Sequence, residues 1–568
     1  MTTQTLGNSP TIPSDARETP VRSAIGRASA TENDPNTSEK FSFWLAEDVL
    51  VNPFDIVEAE HFNNSHTFGL VTLLEHRTDA GSHLANWFSN SFGDLTAEPN
   101  TVRQGTTIAR ASVLSNSGDI YMPVQNEARI RFADAAGVHQ ALGITDETMP
   151  PERRIPAGLV VMSNGTEAVA SIDRNYVLGP EGAHINISGV SGLATKTSYA
   201  MFLLQSIFQT MRDKNEVAAI LLNVKHGDLL QVDQQRDLPE EERARWHALG
   251  LAPKPFDTVR YLLPAGKDYH STYRPNSHVL PPSYNTYAYA VEDAADKLDL
   301  LFSNIPDPSD TIDSLVGEIS NGLANREAKW KSVTDWNSLL NGPPLFDPAS
   351  GKAQALGDIR NISVGRFRRQ LRRMVQTRSS GLFVRQRDRS LVNLSDEIAK
   401  LRGGEVTVVD IARLQDWEQT LVFGDILRTV YSLYVESDEE TSDLPRKVII
   451  FVDELNKYAP AGSKASAIVE QILDVAERGR SIGIVLFSAQ QFLSAVHPRI
   501  PGNASTLVIG RNGSAELANP EYRFLDPDVK MNVTRLGQGE LLLAHAVYRQ
   551  PVRIQFPRPA YRQPQDRY

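Results

Sequence analysis

The sequence RKVIIFVDELNKYAP, residues 446–460, is the clearest indication of an α/β fold in this chain. Its apolar run from Val448 to Val452 has the length and β-branched content of a buried strand. The run delivers two carboxylates, Asp453 and Glu454, at its carboxyl end, which in an open parallel sheet is the edge where ligands bind. Asp453 is suited to hold Mg2+, and Glu454 to orient or deprotonate an attacking water. An acidic pair that caps a helix is the alternative interpretation.

A second motif lies upstream, in HINISGVSGLATKTS, residues 184–198. An apolar strand leads into a glycine-containing turn, and the apolar helix YAMFLLQSIF follows. A phosphate-binding loop needs this context, because backbone N–H groups surround the phosphates, a lysine binds the terminal ones and a hydroxyl binds Mg2+. We predict Lys196 and Thr197 for the last two roles. The predicted nucleotide-binding residues of the loop are Gly189, Gly192, Ala194, Thr195, Lys196 and Thr197.

The sequence of this loop departs from the standard phosphate-binding motif. When the pattern G-x-x-x-x-G-K-[ST] is aligned on Lys196, Val190 and Thr195 stand where glycines belong, and Gly189 lies one residue too early. The loop is therefore predicted to be one residue longer, with Gly192 as its internal glycine. An ordinary strand–turn–helix connection is the other interpretation, and the irregular loop leaves open whether ATP is hydrolysed.

A third motif is ERGRSIGIVLFSAQQ, residues 477–491, where another apolar strand ends near Gln490. An amide at the end of a strand beside the carboxylate strand can sense a terminal phosphate. Arg478 and Arg480 precede this strand and could act across a subunit boundary, since a guanidinium matches the geometry of a phosphate. Plain solvation at the surface is the alternative for both arginines.

Together these motifs resemble the HerA/FtsK branch of hexameric motor ATPases. The junction IPAGLVV, the lead-in AHINISG, the strand VIIFVDELNKYAP, the block RGRSIGIVLFSAQQ and the ending GQGELLLAHAVYRQPVRI occur in the HerA order. The resemblance covers most of residues 41–560 apart from one insertion. It implies a homohexameric, helicase-like ring that binds ATP and Mg2+, hydrolyses ATP between subunits and translocates duplex DNA through its pore.

The resemblance also implies roles and partners. Glu454, Arg480 and Gln490 would be catalytic, Thr197 and Asp453 would bind the metal, and Arg478 would contact the nucleotide. HerA-like rings commonly work with an effector, here a NurA-like nuclease, a sirtuin-like protein or another enzyme, and several serve in antiviral defence against phage. Two alternatives stay open: a ring scaffold of weak catalytic power whose nucleotide only organises the partner, and an ATPase of DNA end resection, conjugation or packaging.

Composition and pattern divide the chain into four parts. Residues 1–40 are rich in Ser, Thr, Pro and Asn, which predicts a disordered tail. Residues 41–155 contain short alternating runs typical of a small β-barrel, similar to a HAS-barrel, with a short helix from Ala135 to Leu142 that closes it. Residues 156–232 and 404–568 alternate strands and helices, which predicts a RecA-like P-loop core with a mainly parallel sheet and a C-terminal extension. Residues 233–403 are predicted to be a helical insertion.

Bulk composition excludes several classes of protein. The 568 residues contain no cysteine, which rules out disulfides and thiolate metal sites, and the twelve histidines lack metal-ligand spacing. The net charge of -11 argues against a broadly basic surface but allows a local basic channel. No run approaches the roughly 18 to 20 apolar residues that span a bilayer, so we expect a cytoplasmic protein with no membrane contact.

Two further segments carry charges that bear on function. Residues 360–389 contain ten arginines against one aspartate, which suits contacts to a nucleic-acid backbone; a helix that pairs with acidic neighbours or with a partner protein is as consistent with this pattern. In ILLNVKHGDLL, residues 220–230, Lys225 and Asp228 could lie near the nucleotide, although a simple strand-to-turn transition is the more ordinary interpretation. The arginines predicted to contact nucleic acid are Arg366, Arg368, Arg369, Arg372 and Arg373.

Overall fold

A computed structural model gives the fold of the chain. It describes residues 23–96, 105–190, 195–267, 274–303, 305, 307, 310–376, 380–436, 443–463 and 465–563. The chain divides into two compact units, of which the first takes its residues from Met1–Val51 and Ile56–Ala133, and the second from Asn52–Asp55 and Asp134–Tyr568.

The first unit is a closed antiparallel barrel with the strand order β1-β2-β5-β4-β3-β6. Alternate side chains fill its interior, among them Phe41, Phe43, Val71 and Ile130, which are almost completely buried. Helix α1 (His83–Ser89) belongs to the connection in the chain between the two longest strands, β4 and β5. The strands are β1 (Gly26–Ala28), β2 (Lys40–Leu45), β3 (Ile56–Glu60), β4 (His66–Thr78), β5 (Gly105–Asn116) and β6 (Arg129–Phe132).

The barrel begins and ends earlier than the sequence indicates. The predicted boundary of the disordered tail at residue 40 is wrong, because Gly26–Ala28 pairs with β2 on one side and β6 on the other. Backbone hydrogen bonds order this polar segment, and a composition argument does not detect them. Residues 1–22 of the predicted tail lie outside the described residues. At the other end, helix α2 (Ala135–Ala141), which is capped by Asp134, contacts β8 of the second unit and does not close the barrel.

The second unit is built on one sheet of 14 strands, in the order β16-β13-β11-β17-β10-β18-β19-β9-β20-β21-β22-β7-β8, with β12 paired to β11. The sheet is parallel from β16 to β20 and antiparallel from β20 to β8. The predicted, mainly parallel α/β sheet and the barrel ahead of it are thus confirmed. The strands are β7 (Arg154–Val161), β8 (Glu167–Asp173), β9 (Ile185–Ser188), β10 (Val217–Asn223), β11 (Val259–Gly266), β12 (Arg274–Pro275), β13 (Asn285–Tyr287), β16 (Leu391–Val392), β17 (Val406–Asp410), β18 (Lys447–Asp453), β19 (Ile484–Gln490), β20 (Thr506–Ile509), β21 (Glu540–His545) and β22 (Val552–Gln555), with β14 (Phe346–Asp347) and β15 (Lys352–Ala353) forming a separate hairpin.

Helices accompany this sheet, and none of the described ones is long and apolar enough to cross a membrane. They are α3 (Arg174–Val177), α4 (Thr195–Gln209), α5 (Glu240–Ala248), α6 (Val291–Ala294), α7 (Leu298–Phe302), α8 (Thr311–Ala324), α9 (Trp336–Asn341), α10 (Asn361–Val375), α11 (Leu394–Ile398), α12 (Asp416–Glu436), α13 (Ala467–Ile482), α14 (Arg499–Gly502), α15 (Ser514–Leu517) and α16 (Pro527–Val533).

The segment 233–403 is only partly the helical insertion that the sequence predicts. It supplies helices α5 to α11, but it also adds β11, β13 and β16 to the edge of the main sheet in parallel register. The apolar run in VRYLLPAG drives this, since β11 is buried between two neighbouring strands. The insertion therefore extends the main sheet and does not form a separate domain.

Candidate active site

The loop motif begins on β9, which lies between β19 and β20 in the main sheet, one strand before its parallel part ends. All four strand residues are buried, and the next residue, Gly189, approaches β20 so closely that a Cβ atom would lie 3.1 Å from the Cα of Gly510. The N–H groups of Gly189 and Val190 donate to the carbonyls of Gln491 and Arg511. Gly189 therefore serves the packing of the strand end, and its N–H is already bonded within the protein. Gly192 and Ala194 lie outside the described residues, as does the side chain of Thr195.

His184 fixes the start of this strand. Its Nδ1 accepts a hydrogen bond of 2.9 Å from the backbone N–H of Leu486, the third residue of β19. Burial lowers the pKa of His184 to about 4, so the ring is neutral at physiological pH and can act as this acceptor. His184 thereby holds β9, the strand that leads into the loop, beside β19.

Lys196 lies in the first turn of α4 and is only 6% exposed. Its Nζ donates to the carbonyl of Gly189 at 2.9 Å, so the side chain folds back to the residue that follows β9. Burial lowers the pKa of Lys196, and the nearby Asp453 carboxylate opposes that shift. The ammonium therefore lies at the carboxyl end of β9, where a phosphate-binding lysine is required.

Asp453 joins the loop motif to the carboxylate motif. It ends β18 and is 4% exposed, and its Oδ2 accepts a hydrogen bond of 3.2 Å from the Thr197 hydroxyl, 256 residues away in the chain. Its other oxygen, Oδ1, accepts the backbone N–H of Glu454 at 3.0 Å. The structure thus brings together Thr197 and Asp453, the two residues predicted to bind Mg2+.

Glu454 follows in a left-handed conformation, with φ 58° and ψ 46°. A side chain in this region costs about 1–2 kcal/mol relative to a glycine. The turn carries the chain from β18 into the short 3-10 helix Leu455–Lys457 and leaves the Glu454 side chain 44% exposed beside the buried Asp453. A carboxylate kept at a position that favours glycine suggests that the side chain has a function.

Lys225 completes the cluster, and sequence reasoning did not settle its place. It follows β10, the neighbour of β18, and its Nζ lies 3.2 Å from Asp453 Oδ2 and 2.7 Å from Glu454 Oε1. Burial alone would lower the pKa of Lys225, but the two carboxylates together raise it. Asp228 lies near the same cluster, and burial raises the pKa of its carboxyl group. In the sequence, the polar residues that directly follow the buried strand were the only indication that Lys225 lies near the carboxylates.

Gln490 does not take the exposed position that a phosphate sensor needs. Its side chain is completely buried, and its Nε2 donates to Asn186 Oδ1 at 2.6 Å, while the Asn186 amide donates to Ser488. Gln490 therefore cross-links β9 and β19 inside the sheet. The exposed side chain at this strand end is Gln491, whose carbonyl accepts the Gly189 N–H. Because side chains alternate between the faces of a strand, the sequence could have indicated that Gln490 and Gln491 differ in exposure.

Arg478 and Arg480 lie on α13, which ends before β19 begins, so they sit at the amino edge of the sheet. The carboxylates lie at the opposite edge, about 20 Å away for a seven-residue strand. Both arginines are exposed; Arg478 pairs with Asp474 at 3.2 Å, and Arg480 donates to the carbonyl of Glu181 at 2.9 Å. Neither belongs to the cluster around Asp453 within one chain.

The oxygen donors at this edge fit a magnesium ion in part. Among the residues that the structure describes, no three His, Cys, Asp or Glu side chains form a metal site on their own. Thr197 and Asp453 supply two hard oxygen donors, and Lys225 shows that positive charge is stabilised beside them. Mg2+ commonly takes one or two protein ligands and completes its shell with water and phosphate oxygens, so the donor set suits a metal that arrives with a nucleotide.

The predicted nucleic-acid arginines on α10 divide into two groups. Arg368 is buried, donates to the carbonyl of Leu340 at 2.7 Å and lies 3.9 Å from the ring centroid of Phe346, while Arg372 donates to the side chain of Asn341. These two arginines hold the insertion together, so the prediction is wrong for Arg368. The other three are exposed and form no ion pair with a carboxylate of the described chain; they are Arg366, Arg369 and Arg373.

Comparison with solved structures finds 112 matching chains. The genome packaging NTPase B204 of Sulfolobus turreted icosahedral virus 2, in complex with AMPPCP, is 12% identical over 28% of this chain and 72% of that one, with a TM-score of 0.22. The bacterial conjugative coupling protein TrwBdeltaN70 is 11% identical over 76% and 95%, with a TM-score of 0.42. VirB4 of Thermoanaerobacter pseudethanolicus is 12% identical over 71% and 95%, with a TM-score of 0.38.

These likenesses are distant, and the packaging and conjugation roles in those names belong to the viral and bacterial proteins. No family model matches the chain, and neither does any curated protein.

Proposed function

We propose that this chain binds ATP with Mg2+ and hydrolyses it at the cluster around Asp453. The observation that carries the proposal is the hydrogen bond between the Thr197 hydroxyl and Asp453 Oδ2, because it joins a lysine-bearing helix start to a carboxylate-bearing strand end at one sheet edge. Parallel sheets bind ligands at this edge, and phosphates favour the amino end of a helix such as α4.

Each residue has one task in this scheme. Lys196 turns from the Gly189 carbonyl to the terminal phosphates, while Thr197 and Asp453 hold the metal. When bound, Mg2+ neutralises charge on the phosphates and orients them. Glu454, half-exposed next to Asp453, accepts a proton from the attacking water.

The arginines support a ring as the working form. Arg478 and Arg480 are exposed at the amino edge of the sheet, too far from the carboxylates of their own chain to contact the same nucleotide. A neighbouring copy, placed head to tail, can present its arginines to this site, and such heterologous contacts close into rings. The resemblance to HerA-like motors favours six copies around duplex DNA.

The row of exposed arginines on α10 supports a nucleic-acid partner. Because Arg366, Arg369 and Arg373 are three and four residues apart, they lie on one face of the helix and can contact a phosphate backbone without reading its sequence. We further propose, from the resemblance alone, that the ring drives or organises an effector such as a nuclease in defence against phage.

Glu454→Gln tests the catalytic proposal. The variant keeps its hydrogen-bonding shape but cannot accept a proton, so it should bind ATP normally and lose at least about a hundredfold in hydrolysis rate. Phosphate release and calorimetric ATP binding should both be measured with Mg2+ and DNA present. Glu418→Gln is the matched control, because this glutamate is buried away from the cluster and caps α12 through the N–H of Gln415. Hydrolysis by Glu454→Gln at the wild-type rate would reject the proposed role of this residue.

A ring scaffold is the second candidate, and one observation favours it. Lys196 is buried and bonded to its own loop, and the loop is irregularly spelled, both of which weaken phosphate binding. Under this reading the wild-type chain would show little or no affinity for ATP in the calorimetric arm of the same experiment. Tight, Mg2+-dependent binding with hydrolysis lost in Glu454→Gln would reject the scaffold.

A further inference from the structure

We propose that Lys225 competes with Mg2+ for the oxygens of Asp453 and Glu454, so that binding of the metal displaces this lysine and releases Glu454 for catalysis. The inference rests on the proposed function and adds a positioning residue to it. Its basis is the juxtaposition of one ammonium with both carboxylates, at 3.2 and 2.7 Å.

The overlap between Lys225 and a metal is specific to one oxygen. Asp453 Oδ2 accepts both the Thr197 hydroxyl and the Lys225 ammonium, whereas Oδ1 is engaged by the Glu454 N–H. A cation that binds Thr197 and Asp453 together must use Oδ2, since this oxygen faces the hydroxyl. An ammonium and a divalent cation on the same oxygen repel each other, and one has to leave.

The surroundings allow the side chain of Lys225 to leave while its backbone stays in place. The turn after β10 is tied by the bond from the Leu229 N–H to Asn223 Oδ1 and by the bond from the Asp228 N–H to the carbonyl of Lys225. The Lys225 side chain itself is 37% exposed and has four flexible methylene groups. Displacement therefore requires rotamer changes and no refolding of the turn.

The consequence for Glu454 follows from its ion pair. The Lys225 ammonium lies 2.7 Å from Glu454 Oε1 and so occupies an oxygen that could otherwise accept a hydrogen bond from the attacking water. While Lys225 stays on Glu454, this oxygen is blocked, and when the metal displaces the lysine the oxygen becomes accessible to water. Hydrolysis is thereby coupled to the arrival of Mg2+ with its nucleotide.

Titration of Mg2+ into the full chain by calorimetry, without nucleotide, tests the competition. Lys225→Met keeps the length of the side chain but removes its charge, and it should bind Mg2+ about tenfold more tightly than the wild type. Lys225→Arg keeps the charge and should bind like the wild type. Lys457→Met is the matched control, because the Lys457 side chain is 35% exposed and its ammonium pairs with Asp416 at 2.6 Å. The contact of Lys457 with Glu454 is a backbone hydrogen bond, from the Lys457 N–H to the Glu454 carbonyl, which the substitution leaves in place.

A second measurement guards against misfolding of the variant. Without its cation, Lys225→Met should unfold at a lower temperature than the wild type, and millimolar Mg2+ should restore more of that loss than it adds to the wild type. The proposal is overturned if Lys225→Met binds Mg2+ no more tightly, if Lys457→Met gains as much, or if neither the wild type nor Lys225→Met binds Mg2+. Failure of the wild type to bind ATP in a separate titration would reject the proposed function, while a gain in Mg2+ affinity in Lys225→Met would still support the competition.

Discussion

One glycine, Gly189, controls how closely the loop strand approaches β20. Replacement by alanine places a methyl group 3.1 Å from the Cα of Gly510, at a backbone φ of +155° that disfavours side chains. We expect Gly189→Ala to lower stability by about 1–3 kcal/mol, seen as a lower midpoint of thermal unfolding. Gly502→Ala, where the added methyl would meet no heavy atom within 4 Å, should leave the midpoint unchanged. An unchanged midpoint in Gly189→Ala would show that the two strand ends can separate at no cost.

The residues of the site differ in how well the amino-acid sequence alone predicts their positions. Lys196 and Asp453 follow directly from strand and helix patterns, because each stands at a fixed place relative to an element boundary. The place of Lys225 could not be predicted from the sequence, because only the pairing of β10 with β18 brings its ammonium to the carboxylates. The burial of Gln490 could not be predicted from the sequence, because the strand continues through this residue and its amide turns into the sheet.

Helix α10 presents exposed arginines in a row, from which we predict how DNA binding depends on them. Changing Arg366, Arg369 and Arg373 together to glutamine should weaken duplex binding and reduce the slope of log affinity against log salt by roughly 2 to 3, about 0.9 for each lost phosphate contact. Fluorescence anisotropy over a range of salt concentrations measures both quantities. A matched triple of exposed arginines that pair with carboxylates, Arg77, Arg243 and Arg446, should leave the slope unchanged when converted to glutamine.

Equal slopes for the two triple variants would assign the row on α10 to an acidic protein partner or to solvent. The alternative interpretation of this helix, pairing with acidic neighbours, fails for these three arginines within the described chain. Arg368 is held by a backbone carbonyl and an aromatic ring, and its contacts are not with acidic side chains either.

At the level of elements, the sequence predicted the type of each segment better than its limits. The barrel and the parallel sheet were recognisable because alternation and buried apolar runs are local patterns. The strand Gly26–Ala28 was missed because it has only three residues, and it is ordered by hydrogen bonds to two neighbours. Strands β11, β13 and β16 were absorbed into a predicted helical insertion, since their place in the main sheet depends on pairing between distant segments.

For the whole molecule, the decisive feature is that the two halves of the proposed catalytic machinery lie at opposite edges of one sheet. Glu454 is at the carboxyl end of β18, and Arg480 precedes β19 at the amino end. If both act on one ATP, they come from different copies of the chain. Glu454→Gln and Arg480→Ala should then each be inactive alone, for separate reasons.

Mixing these two inactive variants tests that arrangement. In a ring assembled from equal amounts of both, roughly a quarter of the interfaces pair the intact Glu454 of one copy with the intact Arg480 of its neighbour, so ATP hydrolysis should partly return. A mixture of Glu454→Gln with Lys196→Ala is the control and should stay inactive, because Lys196 and Glu454 serve the same nucleotide within one chain and each copy then lacks one of them. Recovery in the first mixture alone would establish a shared site. Activity in neither mixture, with both pairs assembled into mixed rings, would show that Arg480 does not act on the nucleotide of the neighbouring copy.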